Sequence, residues 1–173
     1  MPGVNHILRS LDETCRFGQA LAVSMTRILP GALLLYGDLG AGKTALTRFV
    51  VEALPGGGDA EISSPSFTIC NIYCTAPLVH HFDLYRLEPG SSDEALGESL
   101  DDASILTIVE WPERMAARDL PEDGLNCRLT ALEAEQGRMA ALSALGPIGD
   151  RCLALFRSLF SPSYSAVQDN ITR

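Results

Sequence analysis

The sequence predicts an α/β fold, in which helices flank a sheet with parallel core strands and a small antiparallel extension. Two short apolar runs, ALLLY at 32–36 and ILTIV at 105–109, are typical of strands that are buried on both faces. A glycine-rich turn follows the first run at once, and residues 43–54 then have the pattern of a helix. Strand, turn and helix in this order indicate an α/β sheet.

The remaining elements follow from the same kinds of pattern. A capping box at Ser10 and Glu13 opens a helix that ends before Pro30. Residues after 160 are polar, and we expect them to be frayed. The other predicted segments, in chain order, are a hairpin of 67–73 and 78–84, a weak helix at 91–100, a hairpin of 127–132 and 138–145, and a helix at 150–160.

Length and composition indicate a single globular domain over residues 1–173. The chain is 46% hydrophobic and 20% charged, which is ordinary for a folded protein. Its net charge is −9, and no basic stripe is visible along it. Proteins that bind DNA or tRNA on their own usually carry such a stripe. We therefore expect no direct DNA binding, and contact with tRNA only through a partner.

Compartment signals point to the cytoplasm. No apolar run approaches the roughly 18–20 residues that a membrane span needs, and the N-terminus MPGVNHILRSLDE lacks the regions of a signal peptide. The five cysteines are scattered, and none stands in a C-x-x-C pair. We therefore expect free thiols in a reducing cytosol rather than a zinc site or a disulfide framework.

The segment after the first strand, GDLGAGKT at 37–44, matches the P-loop pattern at every fixed position. Its glycines let successive N–H groups point at phosphate oxygens, and the helix that follows adds its positive dipole end. Lys43 is predicted to reach the β- and γ-phosphates, and the Thr44 hydroxyl to bind magnesium. ATP and Mg²⁺ are therefore the predicted cofactors. The predicted nucleotide contacts in this loop are Asp38, Leu39, Gly40, Ala41, Gly42, Lys43 and Thr44.

Hydrolysis needs acidic groups beside the phosphates, and two stand at the predicted carboxyl ends of strands. Glu110 follows ILTIV, and Asp83 follows VHHF. Ligands bind at this edge of open α/β sheets. One acid is predicted to bind magnesium, directly or through water, and the other to orient the attacking water; the sequence leaves open which does which. With Lys43, these two acids are the predicted catalytic residues.

Several further features have both a functional and a structural interpretation. The SPSF segment at 64–67 is either a switch loop that presents a hydroxyl to the γ-phosphate or a plain turn. Trp111 either lies by the site or packs in the core. Arg86 either stabilises phosphate or forms a surface ion pair, and the ion pair is favoured. His80 and His81 lack metal-ligand spacing, so strand packing is favoured for both.

Taken together, the motifs resemble the bacterial TsaE (YjeE) family, the ATPase of tRNA threonylcarbamoyladenosine biosynthesis. The matching segments are GDLGAGKT at 37–44, SPSF at 64–67, HFDLYRL at 81–87 and VEWPE at 109–113, and the resemblance covers approximately residues 10–145. The P-loop alone would not name a family, whereas HFDLYRL and VEWPE are uncommon and specific in combination.

The resemblance implies a P-loop NTPase-like sheet with a small antiparallel extension, and it implies roles for individual residues. Thr44 and Glu110 match the magnesium-binding positions of the family, and Asp83 matches an acid needed for hydrolysis. Ser66 stands where relatives commonly have threonine, so the hydroxyl is kept. The positions matched to nucleotide contacts outside the P-loop are Leu11, Ser66, Trp111 and Arg138.

The resemblance also implies a function. Family members act with the TsaD and TsaB proteins, which transfer a threonylcarbamoyl group to the adenosine beside the anticodon, and ATP turnover resets that complex. The chain is therefore expected to be a weak ATPase that its partners stimulate. Two other functions stay open: a small-molecule P-loop kinase, and a module that senses nucleotide without hydrolysing it. The kinase is disfavoured because no arginine-rich lid is visible among the 13 basic residues.

Overall fold

The computed structural model describes residues 2–28, 31–132 and 137–160. Within these residues, no helix has both the length and the apolar character needed to cross a bilayer. Two short 3₁₀ turns, Pro112–Arg114 and Ala117–Asp119, follow the fifth strand. The helices and strands, in chain order, are β1 (Val4–Leu8), α1 (Leu11–Ile28), β2 (Ala32–Tyr36), α2 (Lys43–Glu52), β3 (Cys70–Tyr73), β4 (Leu78–Asp83), α3 (Glu94–Asp101), β5 (Ile105–Glu110), β6 (Gly124–Ala131), β7 (Arg138–Leu145) and α4 (Gly146–Leu159).

The strands in the described part of the chain form one seven-stranded sheet, in the order β1-β7-β6-β2-β5-β4-β3. The neighbouring strands β6, β2, β5 and β4 run parallel, whereas β3 pairs antiparallel with β4, and β7 pairs antiparallel with both β6 and β1. The predicted α/β fold with parallel core strands is confirmed. The antiparallel strands stand at both edges of the sheet, so the extension is larger than the sequence suggests.

Side chains of β2 alternate between two apolar cores, because successive residues of a strand point to opposite faces of the sheet. Leu33 and Leu35 pack with Phe17 of α1 in the larger core, which also contains residues of α2 and α4. Leu34 belongs to the smaller core, together with Leu96 of α3. A strand between two cores needs apolar residues at every position, which is why ALLLY shows no polar alternation.

The predicted helices, strands and hairpins are present, with some shifted bounds. Strand β3 begins at Cys70 rather than at 67, because Ile69 has a left-handed backbone (φ 68°) that a strand does not accommodate. Helix α4 begins at Gly146 rather than at 150. Strand β1 has no counterpart among the predicted elements, because its five residues are too few to establish a period and pairing with β7 holds it. Residues 133–136, between the two strands of the second predicted hairpin, and the predicted frayed tail lie outside the described residues.

Helix α1 begins where the sequence places its capping box. The Ser10 hydroxyl accepts a hydrogen bond from the N–H of Glu13 at 3.1 Å. The Glu13 carboxylate accepts one from the N–H of Arg9 at 2.6 Å, one residue before the position that a standard capping box uses. The predicted cap is therefore confirmed at the hydroxyl and displaced at the carboxylate.

Helices α1 and α2 approach closely at Gly18. A Cβ atom added to Gly18 would stand 2.7 Å from the Cβ of Phe49 and 3.2 Å from its carbonyl carbon. Because the second neighbour is backbone, α2 itself would have to move to make room. The helix α3 offers a contrast, since a Cβ atom added to Gly97 meets nothing within 4 Å.

We expect Gly18→Ala to lower the free energy of unfolding by about 1–3 kcal/mol, the usual effect of overpacking a tight contact. Gly97→Ala is the matched control and should raise the free energy of unfolding by up to about 1 kcal/mol, because alanine loses less backbone entropy in a helix. Urea denaturation of both variants and of the unaltered chain measures the difference. A Gly18→Ala protein as stable as the unaltered chain would contradict the close approach of α1 and α2.

Candidate active site

The P-loop connects β2 to α2 and ends at Gly42, the residue that caps the helix. Gly42 has a left-handed backbone (φ 102°, ψ 21°), and a Cβ atom there would collide with the guanidinium group of Arg138. Only glycine meets both conditions. The first N–H groups of α2 have no partners within the helix, so this end presents donors and a positive dipole. The arrangement suits an anion such as phosphate.

Lys43 lies across the loop with its side chain almost out of water. Its Nζ donates to the carbonyl oxygens of Gly37 at 2.6 Å and Asp38 at 3.0 Å, and it stands 3.8 Å from the centroid of the Trp111 ring. Burial lowers the pKa of Lys43, while the nearby charge of Glu110 opposes that shift. The lysine is thus held over the loop by neutral acceptors and a ring face, contacts that phosphate oxygens can replace.

Glu110 ends β5 as a carboxylate that is only 2% exposed. Its Oε1 accepts from the Thr44 hydroxyl at 2.8 Å and lies 2.9 Å from Nε2 of His81. The His81 side chain is fully buried. Burying a charge is unfavourable unless hydrogen bonds compensate the lost hydration. The Thr44 hydroxyl from α2 supplies one such hydrogen bond, and the His81 ring from β4 lies within hydrogen-bond distance to supply a second.

Thr44 and Glu110 form a donor set that fits Mg²⁺. A hydroxyl and a carboxylate oxygen are hard ligands, and Mg²⁺ in nucleotide sites completes its shell with phosphates and waters. Within residues 2–28, 31–132 and 137–160, no group of three or more His, Cys, Asp or Glu side chains could hold a metal. Because Thr44 and Glu110 supply two ligands and leave the rest of the shell to phosphates and waters, the pair fits an ion that binds together with a nucleotide.

Asp83 ends β4 beside Glu110, because the parallel register of β4 and β5 pairs these two residues. Its two carboxylate oxygens have different partners. Oδ1 accepts from the N–H of Tyr85 at 3.1 Å, and Oδ2 accepts from the hydroxyl of Ser64 in a short contact. The two predicted acids therefore lie at the same edge of the sheet, Glu110 next to Thr44 and Asp83 next to Ser64.

The hairpin of β3 and β4 holds the loop that carries Ser64. At one end of the loop, the carbonyl oxygen of Ser63 accepts from the side-chain amide of Asn71 at 3.2 Å. At the other end, the carbonyl oxygen of Ile69 accepts from the N–H of Asp83 at 2.9 Å. The positive φ of Ile69 is a strained conformation for a β-branched residue. These contacts fix the loop so that the Ser64 hydroxyl meets Asp83.

The three predicted catalytic residues, Lys43, Asp83 and Glu110, line one cleft of about 390 Å³, a volume within the range of small-molecule sites. Ser64, Tyr85 and Arg86 line it in addition to predicted site residues. The predicted site residues that line the cleft are Leu39, Gly40, Gly42, Lys43, Thr44, Ser66, Asp83, Glu110 and Trp111.

The other predicted nucleotide contacts stand outside the cleft lining. Asp38 meets Lys43 through its carbonyl oxygen, and Arg138 donates to the carbonyl oxygen of Ala41 at 3.2 Å. Arg138 and Ala41 therefore contact each other at the loop itself. Leu11 is 65% exposed at the start of α1. Nucleotide contact stays a prediction for these four residues, as it does for those that line the cleft.

The structure adds His81 and Ser64 to the groups that the sequence assigns to the site. The sequence favours strand packing for His81; the side chain is buried in β4, and it also contacts Glu110. The spacing could have indicated this role. His81 precedes Asp83 by two residues, so the alternation of a strand puts both side chains on one face, the face of the predicted site acid. In the SPSF segment, the resemblance assigns Ser66 to the nucleotide, whereas Ser64 is the serine that donates to Asp83.

Arg86 and Trp111 also have contacts that bear on their two interpretations. The guanidinium carbon of Arg86 lies 4.2 Å from the centroid of the Phe67 ring at the cleft, where the sequence favours a surface ion pair. Trp111 meets both of its interpretations, because it lines the cleft and also packs against the smaller core. Two basic residues that line the cleft, Lys43 and Arg86, therefore make cation–ring contacts.

Comparison with known proteins identifies relatives of this chain. A family model described as "Threonylcarbamoyl adenosine biosynthesis protein TsaE" matches residues 8–140. The tRNA threonylcarbamoyladenosine biosynthesis protein TsaE of Synechocystis sp. is 40% identical over 113 residues, which cover 62% of this chain and 69% of that protein. The protein of the same name from Haemophilus influenzae is 34% identical over 104 residues, which cover 57% of this chain and 65% of that protein.

A solved structure extends the similarity to most of the fold. The crystal structure of YdiB from Bacillus subtilis superposes with a TM-score of 0.71 at 26% sequence identity. The superposition covers 90% of this chain and 95% of YdiB. The shared fold therefore extends beyond the residues that the family model matches.

The two serines of the SPSF segment should affect ATP turnover differently. Ser64→Ala removes a donor from Asp83 and should lower kcat by about ten-fold, the effect of one hydrogen bond to a charged group. Ser66→Ala removes a hydroxyl from the cleft wall and should raise KM for ATP with kcat largely kept. Steady-state phosphate release over a range of ATP concentrations separates the two constants. A Ser64→Ala protein that changes only KM would contradict the role of Ser64 at Asp83.

Proposed function

The chain belongs to the family of threonylcarbamoyl adenosine biosynthesis protein TsaE, and on this premise we propose that it binds and hydrolyses ATP as a subunit required for threonylcarbamoyladenosine modification of tRNA. Relatives named as tRNA threonylcarbamoyladenosine biosynthesis proteins support a role in that pathway. The P-loop and the two acids beside it support the use of ATP.

One contact carries the proposal of hydrolysis: the Thr44 hydroxyl donates to Glu110 at 2.8 Å. This hydrogen bond brings the phosphate-binding end of α2 and a buried acid to one point, with Asp83 next to them in the sheet. A module that only bound nucleotide with Mg²⁺ would use Glu110 alone, whereas hydrolysis also uses an acid such as Asp83 to orient the attacking water. The pair of carboxylates therefore favours a hydrolase over a module that senses nucleotide.

ATP binding is assigned to the P-loop and Lys43. Backbone N–H groups at the start of α2 donate hydrogen bonds to phosphate oxygens, and Lys43 exchanges its contacts with the carbonyl oxygens of Gly37 and Asp38 for contacts with the β- and γ-phosphates. Because its ammonium group is largely removed from water, its attraction to the phosphates is screened less than at the surface. Trp111, whose ring contacts Lys43, then lies beside the bound nucleotide.

Thr44 and Glu110 would hold Mg²⁺, which when bound supplies positive charge to the phosphate oxygens. Asp83, the second acid at this edge of the sheet, is left to orient the attacking water, since Glu110 is assigned to the ion. The water oxygen attacks the γ-phosphorus, the bond from that phosphorus to the bridging oxygen breaks, and Asp83 accepts the proton that the water releases. Ser64 holds Asp83 in place during this step.

We assign the chain to the cytoplasm, where it acts with the TsaD and TsaB proteins. A net charge of −9 supports contact with tRNA only through that complex, because the RNA backbone is also negative. In this proposal, ATP turnover resets the complex and does not itself form the modification.

We expect the chain alone to hydrolyse ATP weakly and the addition of cognate TsaD and TsaB to stimulate it. Phosphate release is measured for the chain, for the TsaD–TsaB pair and for all three proteins together. The Lys43→Ala variant serves as the control for contaminating ATPases. Unchanged turnover under conditions where the three proteins bind would contradict the proposal. A phosphorylated acceptor in a metabolite screen would instead support a small-molecule kinase.

Variants of the three catalytic candidates should separate binding from turnover. Lys43→Ala should lose ATP binding, because the main positive charge of the loop is gone. Asp83→Asn and Glu110→Gln keep the side-chain shapes, and should keep much of the binding while losing turnover by about 10²–10³-fold. Binding of a fluorescent ATP analogue and phosphate release measure the two effects. Similar turnover in all three variants would show that the active site lies elsewhere.

A further inference from the structure

His81 makes a polar contact at one ring nitrogen only. Nε2 lies 2.9 Å from Oε1 of Glu110, whereas Nδ1 is buried and has no hydrogen-bond partner among the described residues. The ring stacks on Tyr73, with centroids 6.3 Å apart and an interplanar angle of 26°. The single polar contact of this imidazole is therefore with the buried acid of the proposed active site.

The partner of Nε2 determines the tautomer of the ring. An ionised Glu110 only accepts hydrogen bonds, so the imidazole hydrogen must be on Nε2. Nδ1 then keeps an unpaired acceptor in the interior, which is unfavourable. An apolar side chain would fill the same volume without burying a polar atom. What an apolar side chain cannot provide is the hydrogen bond to Glu110.

Position also separates His81 from the nucleotide. His81 does not line the cleft, whereas Asp83, two residues later on the same face of β4, does. Any effect of His81 on the chemistry must therefore pass through Glu110. Partners that hydrogen-bond a metal ligand from behind orient that ligand and commonly change metal affinity by about 10–100-fold.

We propose that His81 is a positioning residue of the Mg²⁺ site, which orients the Glu110 carboxylate through its Nε2–H. This inference rests on the proposed ATPase function. With His81 and Thr44 both donating to Oε1, the carboxylate plane is held from two directions, and Oε2 stays available to the ion or its waters. Without His81, Thr44 is the remaining donor, and the carboxylate rotates more freely about its last side-chain bond.

The test compares two amides at position 81. In His81→Gln the amide nitrogen reaches the place of Nε2, whereas in His81→Asn it reaches only the place of Nδ1. The matched control is His80→Asn, on the neighbouring residue of the same strand, whose ring lies at the edge of Phe82. The readout is the EPR signal of protein-bound Mn²⁺ in the presence of a non-hydrolysable ATP analogue. Affinity for the analogue in EDTA and thermal unfolding are measured in parallel.

We expect His81→Asn to need at least about ten-fold more Mn²⁺ for half-saturation. His81→Gln should stay within about three-fold of the unaltered chain, and His80→Asn should not change. Affinity for the analogue in EDTA should be the same in all four proteins. Equal loss in the Gln and Asn variants, or no loss in either, would overturn the inference and assign His81 to packing.

A second measurement uses the unaltered chain, so it does not depend on whether a variant folds. A long-range ¹H–¹⁵N spectrum of the unaltered chain, which has three histidines, should show His81 locked as the Nε2–H tautomer. An Nδ1–H tautomer would overturn the inference. If the unaltered chain neither binds nor hydrolyses ATP, the proposed function is wrong, and the inference about His81 is wrong with it. If the unaltered chain hydrolyses ATP and His81→Asn keeps its affinity for Mn²⁺, only the inference about His81 is wrong.

Discussion

A carboxylate buried at the end of a strand must find donors in other elements, and Glu110 is that group in this protein. Its donors are Thr44, 66 residues before it in the chain, and His81, 29 residues before it. The contact therefore ties α2, β4 and β5 together at one point. A one-residue slip of β4 against β5 would turn His81 and Asp83 to the opposite face of the sheet. The register of the parallel core thus controls both the burial of Glu110 and the pairing of the two acids.

The antiparallel edges of the sheet bring further groups to this parallel core. At one edge, β3 holds the loop that presents the Ser64 hydroxyl to Asp83. On the other side of the core, β7, which lies between β6 and the edge strand β1, begins with Arg138, and Arg138 contacts the P-loop at Ala41. The core supplies the N-terminal end of α2 and the two acids, and the antiparallel strands on each side of the core add one further side chain. The strands outside the core therefore matter to the site as well as to the stability of the sheet.

Backbone strain concentrates beside the two acids. Among the described residues, the non-glycine positions with positive φ are Ile69 (68°) and Trp111 (62°). Ile69 accepts from the N–H of Asp83, and Trp111 directly follows Glu110 and donates its N–H to the carbonyl oxygen of Leu35. Such conformations cost about 1–3 kcal/mol each and persist only where the surrounding structure holds them. Both strained residues adjoin a catalytic candidate, so the packing of the sheet also stabilises the shape of the cleft.

The sequence by itself determined the parallel core, the P-loop and the two acids, because apolar runs, glycine spacing and strand ends are local patterns. It placed Asp83 and Glu110 at one edge without their partners. Only the tertiary structure decided that Ser64 meets Asp83, that His81 meets Glu110 and that β1 joins the sheet, since each depends on register between distant segments. Local patterns indicate which residues are buried and where the chain turns. Strand pairing then decides which buried groups contact each other.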